Sequence, residues 1–193
     1  MILDKPLYKL LRPLIKLFVF IIFRPKIVGR ENIPSNGGVV LAGNHTNNLD
    51  SILLIMGCKR CIHFLAKDSL SKGIKGCLFR GMGIIPVNRS VHDKNALMRA
   101  EEVLNSGCVI GIFPEGTINR TNRVIMPFKI GAVKMAKDTD SIVVPFTIKG
   151  RYHIFKNNLI LEFYEPYKVS SDLELENNRL MDKIRGELDD EIS

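Results

Sequence analysis

The chain has 193 residues, of which 46% are hydrophobic and 25% are charged, and its formal net charge is +8. That length is ample for one domain with a buried core, and its 15 Gly and 9 Pro follow no fixed period, which excludes a fibrous or low-complexity protein. The apolar content is far too low for a polytopic membrane protein, and the four cysteines lack the pattern of a disulfide framework, so we expect reduced thiols.

The charge is distributed unevenly along the chain. Residues 1–30 contain seven Lys and Arg against one acidic residue, whereas residues 171–193 contain eight acidic residues against three basic ones. A basic body with an acidic end attracts anions. Nucleic acid, anionic lipid and a phosphorylated substrate all remain open on this ground alone.

The first predicted element is a basic, amphipathic helix over residues 7–23. Its apolar side chains recur at helical spacing at Leu10, Leu14, Phe18 and Ile21. The longest unbroken apolar run, residues 17–23, is far shorter than the roughly 20 residues that a transmembrane helix needs. Such a helix is typical of a segment that lies in the interface of an anionic membrane leaflet. The alternative is a helix that packs its apolar face on the core.

Short β-branched runs bounded by turn residues predict the strands 26–29, 38–42, 62–66, 84–87, 109–113, 142–146 and 159–163. Helical patterns fall between most of them, at 51–56, 69–79, 93–105, 129–137 and 172–190. This alternation predicts a single α/β domain in which helices flank a mostly buried mixed β-sheet. We divide the chain into a membrane anchor (1–26), the main domain (27–170) and an acidic C-terminal helix or tail (171–193) that we expect to be solvated.

A polar run, residues 44–51, follows the predicted strand 38–42 and opens a helix, which is where α/β proteins place functional sites. It contains His45 and Asp50, which would point about 140° apart on one continuous helix. They can meet only if His45 lies in the loop and Asp50 in the first helical turn. Asp50 would then accept from one ring nitrogen and leave the other as a base. The alternative is that Asp50 only caps the helix.

Other charged residues follow other predicted strands. Glu115 precedes Gly116 and Thr117, which places a carboxylate and a hydroxyl on a tight turn. Arg89 follows the fourth strand, where its planar guanidinium suits an oxyanion or, alternatively, a surface salt bridge. Lys67 ends the third strand. Four strands thus deliver polar groups at their carboxyl ends, which predicts one shared site.

Taken in order, these residues resemble the motifs of the lysophosphatidic acid acyltransferase (1-acyl-sn-glycerol-3-phosphate acyltransferase) family, over about residues 27–150. The His-x4-Asp motif is matched by His45 and Asp50, Gly-x-Ile-x-x-x-Arg by Gly83, Ile85 and Arg89, Phe-Pro-Glu-Gly-Thr by 113–117, and the Val-Pro strand by 142–146. Lys67 lies in a sequence similar to the family's Ala-Lys-x-Glu-Leu, with Ser69 in place of the usual Glu.

The resemblance implies a membrane-associated enzyme that moves an acyl group from acyl-CoA or acyl carrier protein to the free hydroxyl of 1-acyl-sn-glycerol-3-phosphate, giving phosphatidic acid in phospholipid biosynthesis. It implies that His45, oriented by Asp50, deprotonates that hydroxyl for direct attack on the thioester. No Ser stands in a Gly-x-Ser-x-Gly context, which agrees with a route without an acyl-enzyme.

The resemblance also implies roles for further residues. Those expected to bind substrate are Lys67, Arg89, Glu115, Gly116, Thr117 and Arg120. A backbone N–H near Ile84 or Ile85 is the expected oxyanion donor. We expect no metal and no cofactor, and a peripheral or monotopic position on the cytoplasmic face of the cell membrane.

Two rival functions remain. One is acyl transfer to another lysophospholipid or to an amino-acid lipid. The other is a non-catalytic basic module that binds anionic lipid or nucleic acid. Nucleic-acid binding predicts basic residues interleaved with exposed aromatics, whereas Trp is absent and Phe clusters near the N-terminus, so we expect no nucleic acid partner. A non-catalytic relative would be expected to lose His45 or Asp50, and both are present.

Overall fold

The structure is a computed structural model that describes residues 6–68, 81–88, 93–156 and 158–189. Its strands are β1 (Lys26–Val28), β2 (Val39–Gly43), β3 (Ile62–Lys67), β4 (Ile84–Val87), β5 (Val109–Ile112), β6 (Ile142–Lys149), β7 (Ile160–Phe163) and β8 (Tyr167–Lys168). Its α-helices are α1 (Pro6–Phe23), α2 (Asp50–Gly57), α3 (Lys94–Asn105), α4 (Gly131–Asp138) and α5 (Leu173–Asp189).

The described strands form one mixed sheet of eight, in the order β1-β7-β6-β2-β5-β3-β4, with β8 paired beside β7 on β6. The central strand β2 runs parallel to β5 and to β6, and β3 runs parallel to β5 and to β4. Strands β7 and β8 are antiparallel to β6. Because parallel strands end at the same edge of a sheet, the segments that follow β2, β3, β4 and β5 meet along one edge. The predicted α/β architecture with a mixed sheet is confirmed.

Helices cover both faces of this sheet. Val39 and Leu41 of β2 face a core shared with α1 and α2, while Val40 and Ala42 face a core shared with α3, α4 and α5. Burial on both faces explains why β2 is an unbroken apolar run in the sequence. At Gly43 a Cβ would lie 2.3 Å from the carbonyl oxygen of Phe146, so the close approach of β2 and β6 requires glycine at this position.

Most predicted elements are present, with ends that differ by at most three residues. Strand β6 continues to Lys149 because it pairs with β2 along its first half and with β7 along its second. Strand β8, of two residues, has no counterpart in the prediction because so short a segment has no readable periodicity. The predicted helix 69–79 lies outside the described residues.

The expectation of a solvated C-terminal helix is wrong. Leu180 and Ile184 of α5 are fully buried and Leu188 is nearly so, four residues apart on the face that packs against the sheet. Leu175, on the opposite side, is 61% exposed. When Leu175 is counted with the buried residues, the apolar side chains of this helix are unevenly spaced in the sequence. The helix is acidic on its outer side but belongs to the second core.

Helix α1 packs on α2 and presents an apolar face outward. Tyr8, Val19 and Phe23 are buried in the first core, and Arg12 donates to the carbonyl of Cys58, 2.6 Å away, just after α2 ends. The outward side chains are each between 51% and 68% exposed, and they are Leu10, Leu14, Leu17, Phe18, Phe20 and Ile21. The side chains on which the sequence analysis based the apolar face therefore point outward, while other apolar side chains of α1 pack on the core. In the part of the chain that is described, no helix is both long and apolar enough to cross a bilayer.

Candidate functional site

His45 and Asp50 meet just beyond the carboxyl end of β2. His45 lies in the loop after β2, Asp50 is the first residue of α2, and Nδ1 of His45 is 2.8 Å from Oδ2 of Asp50. A carboxylate can only accept a hydrogen bond, so Nδ1 carries the proton and Nε2 keeps its lone pair. The histidine side chain is 17% exposed and the aspartate is fully buried. The hydrogen bond leaves Nε2 available, which is the geometry that the sequence analysis requires of a base, and the role of His45 as the base stays a prediction.

Asp50 does not act as a helix cap. Its carboxylate turns back toward the loop, where Oδ2 accepts the backbone N–H groups of Thr46 at 2.6 Å and Asn47 at 2.8 Å in addition to the imidazole. Oδ1 accepts the hydroxyls of Tyr152 at 2.6 Å and Thr46 at 3.3 Å. Hydrogen bonds of this number compensate the burial of a carboxylate. Asp50 thus organises the loop as well as the imidazole.

Glu115 holds the backbone of His45. Its Oε1 accepts the N–H of His45 at 2.7 Å and its Oε2 accepts the N–H of Met126 at 2.9 Å. Burial raises the pKa of the Glu115 carboxyl, and the hydrogen bonds from Met126 and His45 partly offset this shift. Glu115 is only 5% exposed, so its observed contacts lie within the protein. Contact between Glu115 and an acceptor molecule stays a prediction.

Two further contacts fix the imidazole. The ring of Phe113 stacks on that of His45, with centroids 4.0 Å apart and 13° between the planes. The N–H of Asn119 donates to the carbonyl of His45 at 2.8 Å. The loop after β5 therefore holds the histidine at its N–H, its carbonyl and its ring face. These contacts join the motif of residues 113–117 to the His-x4-Asp motif.

The loop that carries these contacts turns at Gly116, whose φ of 75° lies in the region that favours glycine. A Cβ at this position would lie 2.9 Å from Nζ of Lys129, so the Lys129 side chain covers the turn. Thr117 and Arg120 are exposed on the same loop. The structure thus places the ammonium of Lys129 at Gly116, a contact that the sequence analysis did not predict.

Asn44 connects the site to the sheet. Its side-chain amide donates to the carbonyl of Ile148 at 2.9 Å, and its Oδ1 accepts the N–H of Ile148 at 2.8 Å. The side chain therefore continues the pairing of β2 with β6 for one more step before His45. Sequence reasoning missed this role, although Asn44 stands next to the histidine.

The other predicted site residues lie on β3 and β4 or outside the described residues. Lys67 ends β3 at the same edge of the sheet and is exposed. Ile84 and Ile85 lie in β4, in register with Phe64 and Leu65 of β3. Arg89 lies outside the described residues. The structure therefore brings His45, Asp50 and Glu115 into contact, while the binding roles of Lys67 and Arg89 and the oxyanion role of Ile84 and Ile85 stay predictions.

Tyr152 is a site residue that sequence reasoning missed. It lies in the loop between β6 and β7, 102 positions from Asp50, and no motif marks it. Burial, followed by the nearby Asp50 charge, raises the pKa of its phenol far above the usual value, so the hydroxyl stays a donor. Among the described residues, no group of three or more His, Cys, Asp or Glu is arranged to hold a metal ion.

Comparison with known proteins bears on this arrangement. The family model described as Acyltransferase matches residues 24–149. A protein of Borreliella burgdorferi named 1-acyl-sn-glycerol-3-phosphate acyltransferase is 36% identical over 137 residues, which is 69% of this chain and 54% of the relative. A protein of Bacillus subtilis with the same name is 33% identical over 128 residues, which is 65% of this chain and 62% of the relative. The matched part therefore spans less than two thirds of the length of either relative.

A solved structure has the same fold. The structure of the 1-acyl-sn-glycerophosphate (LPA) acyltransferase PlsC from Thermotoga maritima aligns with a TM-score of 0.77, covering 96% of this chain and 81% of that chain. The two sequences are 23% identical. This likeness concerns the architecture, a mixed sheet flanked by helices.

Proposed function

Because the chain belongs to the Acyltransferase family, we propose that it transfers an acyl group from a thioester to the free hydroxyl of 1-acyl-sn-glycerol-3-phosphate, giving phosphatidic acid. The observation that carries the proposal is the His45–Asp50 pair, in which Nδ1 is bound to a buried carboxylate and Nε2 keeps its lone pair. Relatives that carry this activity in their names support the choice of acceptor.

The chemistry follows from the state of the imidazole. Nε2 of His45 takes the proton of the acceptor hydroxyl while that oxygen attacks the thioester carbonyl carbon. The tetrahedral intermediate collapses, the carbon–sulfur bond breaks, and the leaving thiolate takes the proton from Nε2. A new ester is formed and the histidine returns to its starting state. Asp50 stabilises the imidazolium that exists between the two proton transfers.

The acceptor's phosphate requires cations beside this pair. Lys67 ends a strand at the same edge of the sheet, and Arg89 follows β4 in the sequence. A guanidinium binds a phosphate through two parallel hydrogen bonds, whereas an ammonium supplies a point charge. We propose that these two residues hold the phosphate. Acyl-CoA and acyl carrier protein remain the two candidate donors, and the test below includes both.

A membrane surface is the proposed location, because both substrates carry acyl chains and the outward face of α1 is apolar. The tip of the loop after β6 lies next to that face: Ile154 and Phe155 are each 64% exposed, and the N–H of Phe155 donates to the carbonyl of Ile22 at 2.7 Å. Exposed apolar side chains therefore occur both on α1 and on the loop that contacts its last turn, and their burial in lipid is favourable.

Basic residues of α1 favour an anionic leaflet. Desolvation and then the charges of Arg12, Arg30 and Lys59 lower the pKa of Lys16. Cations crowded in this way attract anionic head groups within a Debye length, which is about 8 Å at physiological salt. We therefore propose a peripheral or monotopic association with the cytoplasmic leaflet through α1 and the loop tip.

The purified chain in detergent tests the proposed activity. It is assayed with 1-acyl-sn-glycerol-3-phosphate, with other lysophospholipids, with monoacylglycerol and with an amino-acid lipid, each with acyl-CoA and with acyl carrier protein as donor. We expect phosphatidic acid as the main product and monoacylglycerol to be a poor acceptor. Transfer to monoacylglycerol at the same efficiency would contradict the phosphate assignment, and no transfer to any acceptor would contradict the proposed function.

A further inference from the structure

The loop between β6 and β7 brings a phenol to the buried side of the His45–Asp50 pair. Its ends lie close together, since a Cβ on Gly150 would lie only 1.7 Å from the carbonyl oxygen of Asn158, and the φ of Gly150 is 80°. Glycine there lets the chain leave β6 sharply. Two residues later, the hydroxyl of Tyr152 donates to Oδ1 of Asp50 at 2.6 Å.

The hydrogen bond from Tyr152 goes to Oδ1 of Asp50, whereas the backbone N–H groups of the loop donate to Oδ2. Oδ2 of Asp50 receives the imidazole and two backbone N–H groups, whereas Oδ1 receives Tyr152 and the more distant Thr46 hydroxyl, 3.3 Å away. Rotation of an aspartate about its last torsion is soft and roughly two-fold. Asp50 is fully buried, so water does not take the place of a missing donor. The phenol therefore makes the shorter of two hydrogen bonds to Oδ1, and it completes the set of donors that together hold the rotation of the carboxylate.

The phenol is itself held by α1. Its ring meets the ring of Phe23 edge-on, with centroids 5.4 Å apart and 86° between the planes. The N–H of Phe155, three residues on, donates to the carbonyl of Ile22 at 2.7 Å. The last turn of α1 thus supports the loop at two points, one of which is the ring that carries the hydroxyl.

We infer that Tyr152 is a positioning residue for the His45–Asp50 pair, and that the last turn of α1 holds it in place. Tyr152 donates to Asp50 and so sets the direction in which that carboxylate faces Nδ1 of His45. This inference rests on the proposed function for its kinetic consequences. Its geometric part, the effect of the hydroxyl on the imidazole, does not depend on which reaction the site performs.

The test compares Tyr152→Phe with the parent chain. Loss of one hydrogen bond to a charged group should lower kcat roughly ten- to a hundredfold. KM for both substrates should stay within about twofold because the Tyr152 hydroxyl is already bound to Asp50. With one donor fewer, the Asp50 carboxylate interacts more strongly with a protonated imidazole. The acidic limb of the kcat profile and the NMR titration of the His45 ring should therefore both move to higher pH. Glu115 is the other carboxylate in contact with His45, through the backbone N–H. It is present in both the parent and the variant, so it does not cause a difference between their titrations.

Tyr164→Phe is the matched control. Tyr164 is buried and its hydroxyl also lies in a polar network, with Thr147 at 2.8 Å and Glu162 at 3.1 Å, but that network does not include the pair. It should leave kcat and the His45 titration unchanged. Phe23→Leu removes the edge-on contact and should change kcat and the titration in the same direction as Tyr152→Phe, by a smaller amount. An unchanged Phe23→Leu protein would overturn the role of α1.

The outcomes separate the two proposals. A Tyr152→Phe protein with kcat within twofold of the parent overturns the inference. So does one that loses activity while its His45 titration stays in place, because the hydroxyl then affects turnover by a route other than the His45–Asp50 pair. If the parent chain transfers no acyl group, the proposed function fails, and the NMR titration still decides whether Tyr152 acts on the pair.

Discussion

The backbone N–H of His45 donates to Oε1 of Glu115 over 2.7 Å, although 70 positions separate the two residues in the sequence. The same carboxylate accepts the N–H of Met126 at 2.9 Å. One buried acid therefore joins the loop after β2 to the two ends of the loop after β5. In this structure Glu115 holds the backbone of His45 in position. Contact with an acceptor would be a separate role.

The first prediction concerns the two oxygens of Glu115. Glu115→Gln replaces one acceptor by an NH₂ group that faces a backbone donor, so one of the two hydrogen bonds is lost. Such a loss costs about 1.5–3 kcal/mol when the acceptor is charged. We expect kcat to fall at least about tenfold, with the fold retained by circular dichroism. Normal turnover by this variant would show that the contact with His45 is not needed.

The same variant has a predicted pH dependence. Burial raises the pKa of Glu115 in the folded state above its ordinary value of 4.5, so the folded chain binds this proton more tightly than the unfolded chain. The stability of the parent relative to Glu115→Gln should therefore fall as the pH rises from the unfolded pKa through the raised folded pKa. Urea denaturation of both proteins at several pH values from 4 upward measures this difference. A difference that rises with pH would contradict the sign of the shift.

The second prediction concerns the pair itself. His45→Ala should lower acyl transfer by about two to four orders of magnitude, the usual contribution of a positioned base. Asp50→Asn should also lose most activity, since its amide no longer selects the tautomer in which Nε2 is the base. Single-turnover rates at saturating substrate measure both. A His45→Ala chain that is folded and turns over at the parent rate would exclude the proposed mechanism.

The third prediction concerns the phosphate of the acceptor. Lys67→Gln and Arg89→Gln should each lower the acceptor's kcat/KM roughly ten- to a hundredfold, with little change in KM for the thioester. Arg89→Lys should restore only part of the loss, because an ammonium lacks the two parallel N–H donors. Lys134→Gln is the control, since Lys134 is paired with Asp138 on α4. If the variants weaken use of the acceptor and of the thioester equally, Lys67 and Arg89 do not bind the acceptor's phosphate.

The fourth prediction concerns the outward face of α1. Replacing Leu14 and Phe18 by Gln removes two side chains that are 61% and 57% exposed. Leaving lipid should cost about 1–2 kcal/mol for each, so binding to anionic vesicles should fall by at least about thirtyfold. Leu175 and Met98 have the same exposures, 61% and 57%, on other helices. The Leu175→Gln, Met98→Gln double variant should bind vesicles like the parent.

Salt and the loop tip extend this test. High salt should release only part of the parent from vesicles, because apolar burial adds to charge attraction. Ile154→Gln and Phe155→Gln should each weaken binding further in the α1 variant. If the Leu14, Phe18 variant and its control sediment equally with vesicles, the membrane contact lies on another surface.

The fifth prediction concerns the acidic helix α5. Ile184 is fully buried against the sheet, so Ile184→Ala should lower the free energy of unfolding by about 2–5 kcal/mol. Leu175→Ala, on the exposed side of the same helix, should change it by less than about 0.5 kcal/mol. Urea denaturation measures both. Equally small changes in the free energy of unfolding for the two variants would mean that packing of α5 on the sheet does not stabilise the domain.

Periodicity and turn residues were enough to predict the fold class, because the strands buried on both faces are continuous apolar runs and the loops after them are polar. The same reasoning placed His45 in a loop and Asp50 in a first helical turn, which is the geometry that the structure shows. It missed β8 and the packing of α5. A two-residue strand has no period, and one exposed Leu175 hides a regular stripe of buried residues.

The sequence by itself determined which groups are candidates for the chemistry, because the imidazole, its carboxylate and the motif around Glu115 each lie in a short stretch of the chain. Only the tertiary structure decided what each group contacts. Glu115 holds the backbone of His45 because β2 and β5 are parallel neighbours, and Tyr152 reaches Asp50 because the loop after β6 rests on α1. Hydrogen bonds between residues 70 and 102 positions apart depend on strand order, and strand order leaves no mark in the local pattern of residues.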